Sequence, residues 1–186
     1  MPTKPPMNTS PFPGFDSPAA GFDQPFELLM ACHDRVRRSL ALLGRIITHV
    51  KIHGHDAQSR SAVADVLRYF DIAAPLHHED EELHVFAALA HCGDPAVVQA
   101  VRDLQDDHLA MATRWTEARA ILLTWRDHPA PSPLDAATHA VLDTFRHGYD
   151  AHIATEENLV YPAARARLDA DRLARIGAEM QARRRG

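Results

Sequence analysis

Leu29, His33, Val36, Leu40, Leu43, Ile47 and Val50 recur at alternating steps of four and three residues, the spacing that keeps one stripe of a helix turned toward a core. The stripe predicts a first helix starting near Asp23, read as its N-cap, with Pro25 at an early helical position. It also places a histidine, His33, among core positions. After the turn His53-Gly54-His55-Asp56, a second stripe of Val63, Val66, Phe70, Ala73, His77, Glu81, Val85 and Ala88 predicts a helix from about Ser59 to His91. Pro75 lies inside it and must bend it or replace its local hydrogen bonding, since proline has no N–H for the carbonyl four residues back.

Gly93-Asp94-Pro95 stops and restarts the chain. A third helix, about 95 to 127, carries Leu104, His108, Met111, Trp115, Ala118 and Leu122 in register. His128-Pro129-Ala130-Pro131-Ser132-Pro133 breaks it. A fourth, about 134 to 167, carries Leu134, Thr138, Val141, Phe145, Tyr149, His152, Glu156, Leu159 and Ala163, and a short fifth, about 169 to 184, is expected to pack outside. Four long helices joined by short breaks predict an all-α, up-down-up-down four-helix bundle over residues 23–167. Residues 168–186 form the C-terminal helix. Five prolines in the first thirteen residues make 1–22 a flexible, disordered arm.

The chain has 186 residues, enough for one domain with a sizeable core. Thirteen histidines against eight glycines favour long helices over a turn-rich β protein. The net charge of -5 carries no electrostatic footprint for nucleic acid. Cys32 and Cys92 are too few for a disulfide framework and do not form a thiolate zinc pair. With no long apolar run for a membrane span or a signal-peptide core, the expected protein is soluble and cytoplasmic.

The chemistry lies in a repeat. His77-His78-Glu79-Asp80-Glu81-Glu82 in the second helix returns in reduced form as His152-Ile153-Ala154-Thr155-Glu156-Glu157 in the fourth, and both contain His-x3-Glu-Glu. Four residues is just over one helical turn, so the imidazole and first carboxylate of each copy point the same way. Phe86 and Tyr161 each follow five residues after that carboxylate. Counted from one end of the expected bundle at about 1.5 Å per residue, His33, His77, Glu81, His108, His152 and Glu156 fall at one level. A single core histidine is ordinarily just hydrogen-bonded, and a run of Glu is ordinarily solvated. Four imidazoles and two carboxylates stacked in a narrow core would instead cost several kcal/mol per uncompensated charge, so the joint pattern points to bound cations. Within the second helix His78 with Glu82 is a rival register, and Glu79 is near enough to contribute; His77 with Glu81 matches the fourth-helix copy and continues the seam.

Together and in this order, His33, His-His-x2-Glu-Glu (His77 to Glu82), Asp107-His108 and His-x3-Glu-Glu-x4-Pro (His152 to Pro162) make the chain resemble the hemerythrin-like, or HHE cation-binding, domains over about residues 23 to 167. The resemblance implies a four-helix bundle holding two non-haem irons bridged by carboxylates and an oxygen-derived ligand. His33, His77, His108 and His152 would be terminal ligands, and Glu81 and Glu156 would bridge. Manganese or zinc suits the same donors.

The chain departs from the oxygen-carrying members. They place a second histidine four residues from the third-helix ligand, where this chain has Leu104 and Ala112, so one imidazole is missing. Their fourth-helix carboxylate lies one residue farther from its histidine, and their proline after the second-helix motif is here Ala87. Fewer imidazoles leave more open positions, which argues against reversible oxygen storage. The expected function is binding or sensing of a small oxidant (oxygen, peroxide or nitric oxide), with altered packing or slow redox turnover as output. The alternatives are a non-redox, metal-stabilised interaction module and a ferritin-like iron oxidase or store. The residues name no protein partner.

Around the site, Tyr149 is read as core packing by its ring, with a hydroxyl that could donate toward a bound oxygen ligand. Met111 and Trp115 would wall the centre or serve simply as core packing, and Asp107 either orients an imidazole or, next to His108, faces solvent. His49, His53 and His55 at the far turn are read as solvated.

Overall fold

The computed structural model describes residues 21–128 and 134–185, which form helices and turns with no strand among them. Most of the expected arm, and residues 129–133 of the expected break, lie outside the described residues. There are five helical runs among the described residues: α1 (Pro25–His53), α2 (57–89), α3 (Pro95–Asp127), α4 (136–165) and α5 (Ala170–Arg183).

Local chemistry sets the ends. α1 starts after Gln24, not Asp23, and no side chain caps it. Proline at its first position has no N–H to satisfy, which lowers the need for a cap. It ends at Gly54, whose φ of 77° favours glycine and whose N–H reaches Val50 O at 2.9 Å. α2 opens on a capping box in which Ser59 N–H donates to Asp56 Oδ1 at 2.7 Å and Asp56 N–H donates to Ser59 Oγ at 3.0 Å. Asp94, Asp135 and Asp169 cap α3, α4 and α5 by accepting from Ala96 and Val97, Thr138, and Arg172.

α2 and α4 are not regular. Wide π-turns interrupt α2 at Tyr69–Ala73 and Glu81–Phe86, and α4 at Glu156–Val160. Ala74 N–H bonds Tyr69 O and Tyr161 N–H bonds Glu156 O, each five residues back. Pro75 and Pro162 directly follow these residues. In each case the five-residue bond is made by the last N–H before the proline, so the local bonding changes at the proline.

Each π-turn inserts one residue and widens the buried face locally. Ala74, Leu89, Val160 and Ala164 are buried beside the expected Ala73, Ala88, Leu159 and Ala163; the three expected alanines are partly buried against the core, Leu159 is exposed, and His77, Glu81 and Val85 keep their expected places. By contrast, all seven positions of the α1 stripe are buried. α4 also breaks at Gly148 and Tyr149, splitting the expected continuous helix; a Cβ on Gly148 would lie 2.9 Å from Arg114 Nη1.

Two apolar clusters make the core. One gathers Val36, Leu40, Phe70, Ala74, Met111, Tyr149 and Ile153 with residues farther along the same runs. The other gathers Phe26, Leu29, Val85, Phe86, Leu104, Val160, Tyr161 and Met180. On every long run the candidate donors fall between the two: His33 between Leu29 and Val36, His77 to Glu81 between Ala74 and Val85, His108 between Leu104 and Met111, and His152 and Glu156 between Tyr149 and Val160. A polar belt is thus closed above and below by hydrocarbon.

α5 packs on the second cluster through Met180 and on the metal-motif stretch of α2 through charge. Asp80 is fully buried, and Arg183 Nη2 and Arg184 Nη2 each donate to it at 2.5 Å. Gly177 lies against the backbone at the start of α1, where an added Cβ would fall 1.6 Å from Phe22 O. Gly177→Ala should therefore force α5 outward and destabilise the protein by about 1–3 kcal/mol, a drop of several degrees in Tm. Thermal unfolding followed by circular dichroism checks this, and an unchanged Tm would contradict the close docking.

Candidate metal centre

Glu81 and Glu156 are both fully buried, and they organise the belt. Glu81 Oε1 lies 3.4 Å from His77 Nε2 and 3.7 Å from His33 Nε2, while its other oxygen, Oε2, lies 3.4 Å from His108 Nε2. Glu156 divides the same way: Oε2 is 3.1 Å from His33 Nε2, and Oε1 is 3.1 Å from His152 Nε2 and 3.9 Å from His108 Nε2. His33, His77, Glu81 and Glu156 bring one donor atom each within 4.8 Å of one another, and His78, His108 and His152 form a second such group. Each carboxylate faces one group with one oxygen and the other with its second.

Ordinary pairing does not satisfy these atoms. Glu81 Oε2, both oxygens of Glu156, His108 Nε2 and His152 Nε2 are buried and make no hydrogen bond among the described residues, although their neighbours are close. They converge on shared space at angles unsuited to N–H donation. Burial depresses His77 to about 4 and takes His78 well below the ordinary histidine value, leaving both neutral with lone pairs to give. At His33 burial also pushes down, but Glu156 and Glu81 outweigh it and raise the group to about 10. Glu156 is raised by burial and by Glu81, whereas Glu81 is held low by His77, His108 and His33 against the opposite push of burial. Two carboxylates so close resist ionising together, and a pair of divalent cations would remove that conflict while using the orphaned lone pairs of Glu81, Glu156, His108 and His152. The donor set fits such a pair, and mixed imidazole and carboxylate ligation suits iron, manganese or zinc.

A second ring of acids holds the imidazoles from behind. His33 Nδ1–H donates to Glu157 Oε1 at 2.9 Å, and Arg37 Nη2 donates to Glu157 Oε2 at 2.9 Å. His108 Nδ1–H donates to Glu82 Oε1 at 2.9 Å, while Gln105 Nε2 donates to Glu82 Oε2 at 2.7 Å. His152 Nδ1 lies 3.4 Å from Asp107 Oδ2, whose side chain is at the same time half exposed, so both roles open to Asp107 are met. These bonds fix the tautomer that presents Nε2 to the centre. The doubled Glu of each repeat thus divides its labour: the first turns inward, and the second supports a histidine from another helix.

All six residues singled out from sequence, His33, His77, Glu81, His108, His152 and Glu156, lie in the belt. The rival register turns out to be no rival. His77 joins the first group and His78 the second, its ring stacked on His108 with centroids 4.0 Å apart, so one dipeptide serves both groups. His78 thereby places an imidazole beside His108 and His152 where the third helix lacks a second one. Glu79 points away, half exposed, 3.2 Å from Arg183 Nη1.

Tyr161 is the residue that sequence reasoning passed over. Its hydroxyl donates to Glu81 Oε1 and lies 3.1 Å from His33 Nε2. Its signal was the shared five-residue offset, which a π-turn turns back toward the centre. Burial, then the Glu81 and Glu156 charges, hold the phenol well above its ordinary value in the absence of a cation. Tyr149 packs by its ring among Phe70 and Phe145, as expected. Met111 joins that cluster, whereas Trp115 is only partly buried and donates to Asp71 at 3.0 Å. At the far turn, His53 is exposed as expected, but His49 pairs with Asp56 at 2.8 Å and the His55 ring packs 4.9 Å from Trp125.

The family model for the hemerythrin HHE cation binding domain matches residues 24–164. A protein of Haemophilus influenzae described as uncharacterized is 33% identical over 165 residues, which covers 89% of this chain and 92% of its own length.

Two outcomes test the assignments. His78→Ala should reduce bound metal by about one ion per chain, and Glu79→Ala should leave the content unchanged; equal content in both variants would contradict the two-group arrangement. Glu157→Gln should weaken metal affinity by about 10–100-fold through loss of the His33 support, read by competition with a chelator.

Proposed function

The chain belongs to the hemerythrin HHE cation binding domain family, and from that premise we propose that it is a non-haem di-iron protein that binds or senses a small oxidant: oxygen, peroxide or nitric oxide. The observation that carries the reading is the sharing of two carboxylates between two donor groups, each of Glu81 and Glu156 presenting one oxygen to either side. Bound there, an iron pair supplies redox-active cations with coordination positions open to a small molecule.

The chain's own residues do the rest. Glu157, Glu82 and Asp107 orient His33, His108 and His152, so little reorganisation is needed when metal enters. The two apolar clusters close the belt against bulk water and set a low-polarity surround suited to a small uncharged ligand. Tyr161 brings a hydroxyl proton to the centre, at Glu81 Oε1. The reading includes an up-down-up-down course for α1 to α4, and a cytoplasmic setting in which Cys32 and Cys92 remain free thiols. No described helix is long and apolar enough to cross a membrane. A ferritin-like oxidase is less well supported, because that class supplies lone Glu ligands where α1 and α3 here supply His33 and His108.

Full-length protein purified from iron-replete cells should contain about two irons per chain and show a ligand-to-iron charge-transfer band that changes on exposure to oxygen, peroxide or nitric oxide. One zinc with a featureless spectrum would contradict the proposal and favour a metal-stabilised module, and growth of a mineral core would favour storage. Stripping the metal with a chelator should lower Tm, because metal binding and folding are linked.

A further inference from the structure

We propose that the Tyr161 phenolate oxygen is a direct ligand of the metal position formed by His33, His77, Glu81 and Glu156. The inference rests on the di-metal reading above and adds a donor to it.

The two positions are unequal without it. The His78, His108 and His152 group, with Glu81 Oε2 and Glu156 Oε1, has five protein donors, whereas the His33 and His77 group, with Glu81 Oε1 and Glu156 Oε2, has four. The Tyr161 oxygen stands where the fifth belongs. Donor atoms bound to one first-row ion at about 2.0–2.2 Å are roughly 3 Å apart along an edge of the coordination polyhedron. The Tyr161 oxygen lies 3.1 Å from His33 Nε2, in keeping with such an edge.

Its hydroxyl donates its proton to Glu81 Oε1, an oxygen that also faces the His33 and His77 imidazoles of that position. A cation entering there takes over the role of that proton. The O–H bond breaks, the O–metal bond forms, and the proton leaves to solvent. No oxidant or reductant is consumed.

The ring has little freedom to be elsewhere. Tyr161 is buried, its ring lies parallel to His33 with centroids 5.4 Å apart, and Phe26 packs edge-on at 5.8 Å. The Glu156–Val160 π-turn sets this direction, since residue 161 follows Glu156 by five and its N–H bonds back to Glu156 O. The corresponding residue of the other repeat, Phe86, has no oxygen and stacks on His108 at 5.5 Å, beside the group that already has five donors. Iron accepts a tyrosine oxygen in haem proteins, so the donor type is chemically ordinary.

The chain contains three tyrosines, which makes the test clean. Tyr69 donates to Cys32 O at 3.2 Å and Tyr149 packs in the aromatic cluster, so neither competes for the centre. The full chain is loaded anaerobically with ferrous iron, oxidised with ferricyanide, and examined by visible absorption and resonance Raman spectroscopy alongside metal analysis. The expected result is a phenolate-to-iron charge-transfer band whose excitation enhances tyrosine ring modes. Both disappear in Tyr161→Phe and persist in Tyr69→Phe and Tyr149→Phe, with at least one iron per chain retained throughout. Should Tyr161→Phe fail to fold, wild-type protein grown on ring-deuterated tyrosine keeps the question open to refutation, because the enhanced modes must shift. Two irons per chain without phenolate modes, or modes that survive in Tyr161→Phe, would overturn the ligand assignment and leave the di-metal reading standing. No bound iron at all would overturn both.

Discussion

Two carboxylates that cannot comfortably be charged together, placed where water does not reach, are the constraint on which this molecule turns. Glu81 and Glu156 are fully buried, and most of their oxygens find no hydrogen-bond donor among the described residues. Such an arrangement costs several kcal/mol per uncompensated charge. Hydrocarbon on both sides prevents relief by solvent, and the imidazoles around the pair present lone pairs as well as charge. A cation pair answers all of this at once. On the proposed reading, metal binding and folding are parts of one equilibrium.

The internal repeat shows how a helix delivers such a constellation. His-x3-Glu uses regular helical geometry to put an imidazole and a carboxylate side by side. Beyond the Glu, each copy enters a π-turn, and residues five positions on, Phe86 and Tyr161, come back toward the centre. The second Glu of each copy reaches a histidine on a different run. Asp80, within the first copy, is held by Arg183 of α5 and by Arg184 just past its end, so the C-terminal helix is tied to the His77–Glu82 segment through a buried charge.

Much of this was readable in the order of residues, and the π-turns account for the main departures. The α1 stripe needed only a 3.6-residue period, and every position in it is buried. His33, His77, Glu81, His108, His152 and Glu156 were legible because each interrupts an apolar seam at a matching height. At the π-turns the buried face widens by one residue, so Ala74, Leu89, Val160 and Ala164 are buried next to Ala73, Ala88, Leu159 and Ala163, of which Leu159 is the one left exposed. Pro75 and Pro162 were the available signals, yet a proline alone does not distinguish a kink from a π-turn. His77 and His78 looked like alternatives because a regular helix turns adjacent residues about 100° apart. Two adjacent donor groups accommodate that divergence. Tyr161 was missed because five residues is the wrong spacing for an α-helix and the right one across a π-turn.

The most direct test of the central claim is a crystal structure of the metal-loaded chain with anomalous data collected on both sides of the iron absorption edge. The account predicts two anomalous peaks per chain, one among His33, His77, Glu81 and Glu156 and one among His78, His108 and His152, with each of Glu81 and Glu156 bridging the two. A single peak, or peaks elsewhere while the belt holds no ion, would contradict it.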